Sequence, residues 1–357
     1  MKFNSKYIVV LLVLCSFPAA PALGLAPVKV ARLKGGRSMD VQFAGVGGFS
    51  LRGTLTLPAG DKPAPALLLI PGSGPTDRNG NQPPALVTDL LKQLAERLAK
   101  EGVATLRFDK RATHVYAADW PKDPDALNRF FGWDHFTGDA KLAYLYLRGR
   151  PGIDPKRAGI LGHSEGGIIA LVVGAEMAAS PDRPAALVLA GTPGRPLGDV
   201  VHNQVADTLT RQNASADQVK FFLDKTDSIS SEVIRTGMVP ADVPPGLAAL
   251  YPASAALYLQ AVLPLDPRTM AKKIAGPVMV MNGEKDIQVL PDKDSRPLAE
   301  ALRTRMGAVP TDLEIIAGAS HNLKHIGTDP NGFAGPVAPA ALDRLSAWLK
   351  AHLVETK

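Results

Sequence analysis

Cysteine is almost missing from this chain: Cys15 is the only one in 357 residues. A single thiol can neither close an intrachain disulfide nor build a cysteine-ligated metal site, so neither organises the fold. Aromatic residues are also few, at 6%. No Lys/Arg-rich run is interleaved with them, which argues against nucleic-acid binding. There is no repeat at solenoid periods and no low-complexity tract. Glycine and proline are plentiful, 33 and 31 residues, but they are scattered between strong apolar runs, which excludes a disordered chain. The length suits one large α/β domain, alone or with an insertion.

The N-terminus reads as a targeting segment. Lys2 and Lys6 form a short basic region, residues 7–17 are apolar, and Ala20-Pro21-Ala22 supplies small residues for cleavage. The apolar run is short for a membrane span. The expectation is a signal peptide over residues 1–22, an uncleaved anchor helix being the alternative. Cleavage after Ala22 removes Cys15, which suits an oxidising compartment, and lowers the formal net charge from +6 to +4. The product is expected to be exported, periplasmic or secreted, with no stable membrane insertion.

Apolar runs and helical periodicities then alternate. Residues 41–44 and 50–57 read as an antiparallel hairpin turning at Gly45, Gly47 and Gly48. Residues 66–70, 103–108, 158–161, 185–190, 277–281 and 312–316 read as strands. Helical patterns fall at 86–100, 136–147, 168–179, 295–306 and 338–353, with Leu142, Leu145 and Tyr146 on the apolar side of the second. This rhythm predicts an α/β fold with a mostly parallel central sheet and helices on both faces. It breaks at about 191–266, where amphipathic stretches (200–211, 216–228) and a Pro-rich segment (240–252) suggest a helical cap insertion. The expected division is a core of 23–194 and 267–357 with a cap of 195–266.

The chemistry concentrates at Gly162-His163-Ser164-Glu165-Gly166-Gly167. A Gly-x-Ser-x-Gly run alone is weak in a Gly-rich chain. Here a strand precedes it and an apolar helix follows, the context of a nucleophile elbow. The turn is so tight that Gly162 and Gly166 are required on either side of Ser164. A serine nucleophile needs a base, and the base an orienting acid. Asp286 follows a late strand, with Glu284 and Asp292 as alternatives. His321 follows the last strand, with His325 as its rival. His163 is expected to point away from the site. A developing oxyanion needs two backbone N–H groups. One is expected from Glu165, and one from the loop Gly72-Ser73-Gly74, at Ser73.

Taken together, Pro71 to Asn81 (with Thr76-Asp77-Arg78), Arg107-Phe108-Asp109-Lys110-Arg111 and the elbow resemble the α/β-hydrolases. They are similar to bacterial carboxylesterases related to the serine aminopeptidase and prolyl-oligopeptidase branches. The resemblance covers most of residues 40–355 outside the cap. It implies Ser164, Asp286 and His321 as a triad, no cofactor or metal, and hydrolysis of small-molecule acyl esters. The chain departs from the family at Ala112-Thr113-His114, where a Gly-rich turn ending in Ser is usual, and this bears on substrate preference. Asp77, Arg78, Asp109 and Arg111 are expected to form a buried ion network under the oxyanion loop. A peptidase or amidase with the same triad, an acyltransferase and a non-catalytic binding protein remain as alternatives. Oligomeric state is left open.

Overall fold

Nine strands form a single sheet: β1 (Val30–Leu33), β2 (Gly36–Ala44), β3 (Ser50–Pro58), β4 (Ala64–Ile70), β5 (Ala104–Phe108), β6 (Ile153–His163), β7 (Leu187–Ala190), β8 (Val278–Gly283) and β9 (Thr311–Ile316). The computed structural model describes residues 30–355 except 34, 308, 328, 330 and 331. The expected signal segment, 1–22, lies outside the described residues. The spatial order is β1-β2-β3-β5-β4-β6-β7-β8-β9. The first three strands and β5 pair antiparallel. From β5 to β9 every pairing is parallel. The loops that leave β4 to β9 therefore converge on one edge of the sheet.

Helices α1 (Leu90–Lys100), α2 (Pro124–Phe130), α3 (Trp133–Arg148) and α4 (Glu165–Glu176) precede the segment between β7 and β8. That segment holds α5 (Leu197–Arg211), α6 (Ala216–Thr236), α7 (Ala256–Val262) and α8 (Pro267–Ala271), and α9 (Arg296–Arg303) and α10 (Pro339–Leu349) complete the chain. Alternate strand residues feed two cores. Leu68, Ile70, Ile160 and Val280 pack with α3 and α4, while Leu67, Leu69, Leu161 and Met281 pack with α1 and α10. Both faces are covered, which is why these strands read as unbroken apolar runs rather than alternating ones. Among the described residues no helix is long and apolar enough to cross a membrane.

Several local expectations shift. Strand β1 was not foreseen. Its four residues, Val-Ala-Arg-Leu, are too few to show an alternation and are mostly exposed at the sheet edge. Helix α1 begins at Leu90, not 86, because the Asn81 side chain takes the Thr88 and Asp89 amides at 2.8 and 2.7 Å. In α3 the buried face is Phe136, Ala140, Ala143, Tyr144 and Leu147. Leu142, expected to be inside, is exposed, and Leu145 and Tyr146 are only half-buried. Helix α6 runs on to Thr236. A Ser215–Gln218 capping box starts it, and Gly237, at φ 68°, stops it.

The helical segment is fastened where it leaves and where the chain rejoins the sheet. The wholly buried Asp294 carboxylate accepts from the Gly194 amide at 3.1 Å, the Arg195 guanidinium at 3.0 Å and the Leu290 amide at 3.0 Å. Across the top, the Leu257 amide donates to Asn128 Oδ1 at 3.0 Å, linking α7 to α2.

Candidate active site

Strand β6 ends at His163, and α4 begins at Glu165, so Ser164 alone makes the turn. Its backbone sits at φ 55°, ψ −125°. That is a strained conformation for a residue with a Cβ. Two interactions hold it: the Ser164 amide donates to Ala190 O at 2.8 Å, and Ser164 O accepts from Gly167 at 2.9 Å. A Cβ on Gly162 would lie 2.1 Å from Gly166 O, and one on Gly166 would lie 2.3 Å from Ile70 O. No side chain fits at either position. Helix α4 is apolar all round and buried, so it cannot drift to relieve the turn.

Asp286 and His321 meet at the same sheet edge. Asp286 Oδ2 lies 2.7 Å from His321 Nδ1, and both residues are buried. The other carboxylate oxygen accepts the Gln288 and Val289 amides at 2.8 and 2.9 Å. Asn282 Nδ2 donates to Val289 O at 2.8 Å and closes that loop. The His321 ring packs against Gly191, whose Cβ position is 3.2 Å from the ring. The rivals lie elsewhere. Glu284 is exposed and accepts the Gly318 amide at 2.8 Å, Asp292 pairs with Arg296 at 2.8 Å on the surface, and His325 is exposed.

His163 does not point away. Its ring centroid is 4.8 Å from that of His321, and its Nε2 is 3.0 Å from His321 O. Burial, reinforced by the neighbouring His321, pushes its pKa down to about 3. The ring is therefore neutral at working pH and braces the His321 backbone as a hydrogen-bond donor.

Ser164, His163 and His321 line one cavity with Gly72, Ser73, Thr76 and Gln82. Ser164 also lines a second cavity, with Ser73, Glu165, Leu197, Val200, Gln288 and Val289. Gly72 approaches so closely that a Cβ there would be 3.1 Å from Ser164 Cβ, and Gly74 turns at φ 73°. Ser73 O accepts Thr76 Oγ1 at 2.6 Å and Gln82 Nε2 at 2.9 Å, which fixes the loop beside Ser164. A further, largely apolar cavity lies between Gly74, Ala112, Phe131, Phe136, Ala255 and Tyr258.

The expected four-residue ion network resolves into separate parts. Arg78 pairs with Asp109 at 2.6 Å, but Arg111 pairs with Asp139 at 2.7 Å. Asp77 instead accepts the Asn79 and Asn81 amides at 2.8 and 2.9 Å. Spacing could not reveal Asp139, since it lies on α3. Nothing local in the sequence marks the Glu165 side chain, Lys110 and Tyr258 as partners either. Lys110 Nζ lies 3.3 Å from Glu165 Oε1 and donates to Gly72 O, and the Tyr258 hydroxyl donates to Glu165 Oε2. All three are buried. Among the described residues no group of three or more His, Cys, Asp or Glu is placed to hold a metal ion.

The chain resembles proteins of known identity. It is 28% identical over 239 residues to esterase EstD of Thermotoga maritima, a match covering 67% of this chain. It spans about half the length of that relative, 50%. The fold is similar to that of a Pyrococcus furiosus esterase, at TM-score 0.56 and 16% identity over 94% of this chain and 97% of that one. It is also similar to an esterase of the archaeon Pyrobaculum calidifontis, at TM-score 0.53 and 18% identity, covering 90% and 86%. The sequence model of the alpha/beta hydrolase family matches residues 67–335, well over half of the chain. With the sheet order and the serine turn at its centre, the chain belongs to the alpha/beta hydrolase family.

Proposed function

We propose that this protein is a serine esterase acting on small carboxylic esters through an acyl-enzyme on Ser164. The observation that carries the reading is the Asp286–His321 pair, 2.7 Å apart, with His321 lining the same cavity as a serine held at φ 55°. Two esterases of the same fold and a relative named esterase support it.

In this reading Asp286 holds the His321 Nδ1 proton, which leaves Nε2 free as a base. Nε2 takes the Ser164 proton as Oγ bonds to the ester carbonyl carbon. The oxyanion forms against the Ser73 and Glu165 amides. The carbon–oxygen bond to the alcohol breaks, and His321 returns the proton to the leaving oxygen. Water then gives a proton to His321 as it attacks the acyl carbon, the bond from that carbon to Ser164 Oγ breaks, and His321 returns the proton to Oγ as the acid departs.

The apolar cavity at Ala112, Phe131 and Phe136 suits a hydrocarbon portion of the ester, and the helical segment over 195–266 acts as a cap above it. Residues 1–22 serve export in this reading. N-terminal sequencing of the secreted product should start after Ala22; retention of Lys2 and Lys6 would refute it.

The test is turnover of short-chain p-nitrophenyl esters beside Ser164→Ala, with labelling by a fluorophosphonate. Turnover and labelling are expected in the wild type and neither in Ser164→Ala. A wild-type protein that neither turns over esters nor labels would overturn the reading.

A further inference from the structure

We propose that Lys110 is the positioning residue that builds the oxyanion hole, by orienting and polarising the peptide group that carries the Ser73 N–H. The proposal rests on the serine-esterase reading and adds a residue to it.

Lys110 stands at the start of the loop leaving β5, and its side chain is 3% exposed. Its ammonium donates to Gly72 O, lies 3.3 Å from Glu165 Oε1 and sits 5.7 Å from the centre of the Phe136 ring. Gly72 O belongs to the same peptide group as the Ser73 N–H. In a planar trans peptide the C=O and N–H point in opposite directions. Fixing Gly72 O toward Lys110 therefore fixes the Ser73 N–H away from it. A cation on the oxygen also draws electron density from the nitrogen through amide resonance, which strengthens that N–H as a donor.

The peptide group on the other side of Ser73 is held as well, by Thr76 and Gln82 on Ser73 O. The second expected oxyanion donor is the amide of Glu165, the residue whose carboxylate faces Lys110. One ammonium thus ties together both strands of chain that supply oxyanion donors. Tyr258, from α7, completes the arrangement. Burial, and then the adjacent Glu165, hold its phenol well above the ordinary value, so it stays protonated and donates to the carboxylate.

A buried Lys–Glu pair could serve packing alone. Neutralising Lys110 by itself would strand the Glu165 charge and cost stability whatever its role. The test therefore uses Lys110→Met combined with Glu165→Gln, which removes both charges, and Lys110→Arg, which keeps the cation. Thermal unfolding, kcat and KM on a short-chain p-nitrophenyl ester, and inhibition by a trifluoromethyl ketone, which binds as the tetrahedral adduct, are measured for each.

The double variant should fold, keep KM within about threefold, and lose kcat by about 10²-fold, the scale of one oxyanion donor. Its trifluoromethyl ketone affinity should fall in parallel, and Lys110→Arg should recover part of both. Should the double variant not fold, Lys110→Arg and Lys110→Gln decide: the proposal requires kcat and ketone affinity to follow the cation while KM holds. Unchanged kcat in a folded charge-free variant overturns it, and so does a kcat loss with full ketone affinity. Those outcomes leave the esterase reading intact, since wild-type turnover and its loss in Ser164→Ala are measured alongside.

Discussion

The imidazole of His163 props the backbone of His321: Nε2 stands 3.0 Å from the His321 carbonyl oxygen, with the two rings 4.8 Å apart. His163 is buried, and its pKa is pushed down to about 3, below the ordinary 6.5. In the folded state it stays neutral, whereas in the unfolded chain it takes up a proton as pH falls through 6.5. Its contribution to stability is therefore complete above pH 6.5 and is lost progressively toward about pH 3, by up to about 1.4 kcal/mol per pH unit. Replacing it by Gln, which keeps a donor and cannot charge, should flatten the acid limb of stability. Urea denaturation at several pH values between 4 and 6.5 reads this directly. Parallel wild-type and His163→Gln curves would count against it.

Asp286→Asn should leave the fold intact and cut kcat by about 10⁴-fold, with little change in KM. The reason lies in its two oxygens. Oδ1 accepts two backbone amides, so the Asn oxygen stays there and the new NH₂ faces His321 Nδ1. That arrangement forces the proton onto Nε2 and blanks the base. Steady-state kinetics on a p-nitrophenyl ester decide it, and a loss below tenfold would refute the orienting role.

Gly166→Ala should destabilise the protein by about 3 kcal/mol, the upper end for overpacking, or prevent its folding. The added carbon would sit 2.3 Å from Ile70 O and 2.7 Å from Pro71 O, both rigid backbone atoms. Denaturant unfolding, or soluble yield where the variant does not accumulate, provides the measurement. Wild-type stability would show that the elbow can relax.

Ala112→Leu should shift preference toward shorter chains. Ala112 lines the apolar cavity with Phe131 and Phe136, so three added carbons fill the space a longer chain would use. The ratio of kcat/KM for p-nitrophenyl hexanoate to acetate should fall about tenfold, the worth of one or two methylenes. An unchanged ratio would move the chain-binding space elsewhere.

Arg111→Leu should cost about 3–5 kcal/mol, because Asp139 would remain buried without its cation. The pair is 2.7 Å apart, with side chains 1% and 2% exposed. A stability change under 1 kcal/mol in urea denaturation would disprove the charge argument.

What the sequence determined by itself was local. The strand, the turn and the helix around Ser164 are contiguous, so Gly162 and Gly166 are legible as steric requirements from the sequence alone. The alternation of apolar runs and helical patterns likewise carried the parallel sheet, because strands covered on both faces have no polar side to show. Strand β1 was illegible for the opposite reason: a short, exposed edge strand buries too little to leave a pattern.

Tertiary structure decided whatever depended on residues distant in the chain. Asp286 and Glu284 differ by two positions, and His321 and His325 by four, so spacing separates neither pair. Burial does, with Asp286 and His321 inside and the other two in water. Lys110 and Tyr258 lie 55 and 93 residues from Glu165, and nothing local marks either as its partner. A buried charge must find its counter-charge wherever the fold brings one within reach, and that choice exists only once the sheet edge has gathered its loops.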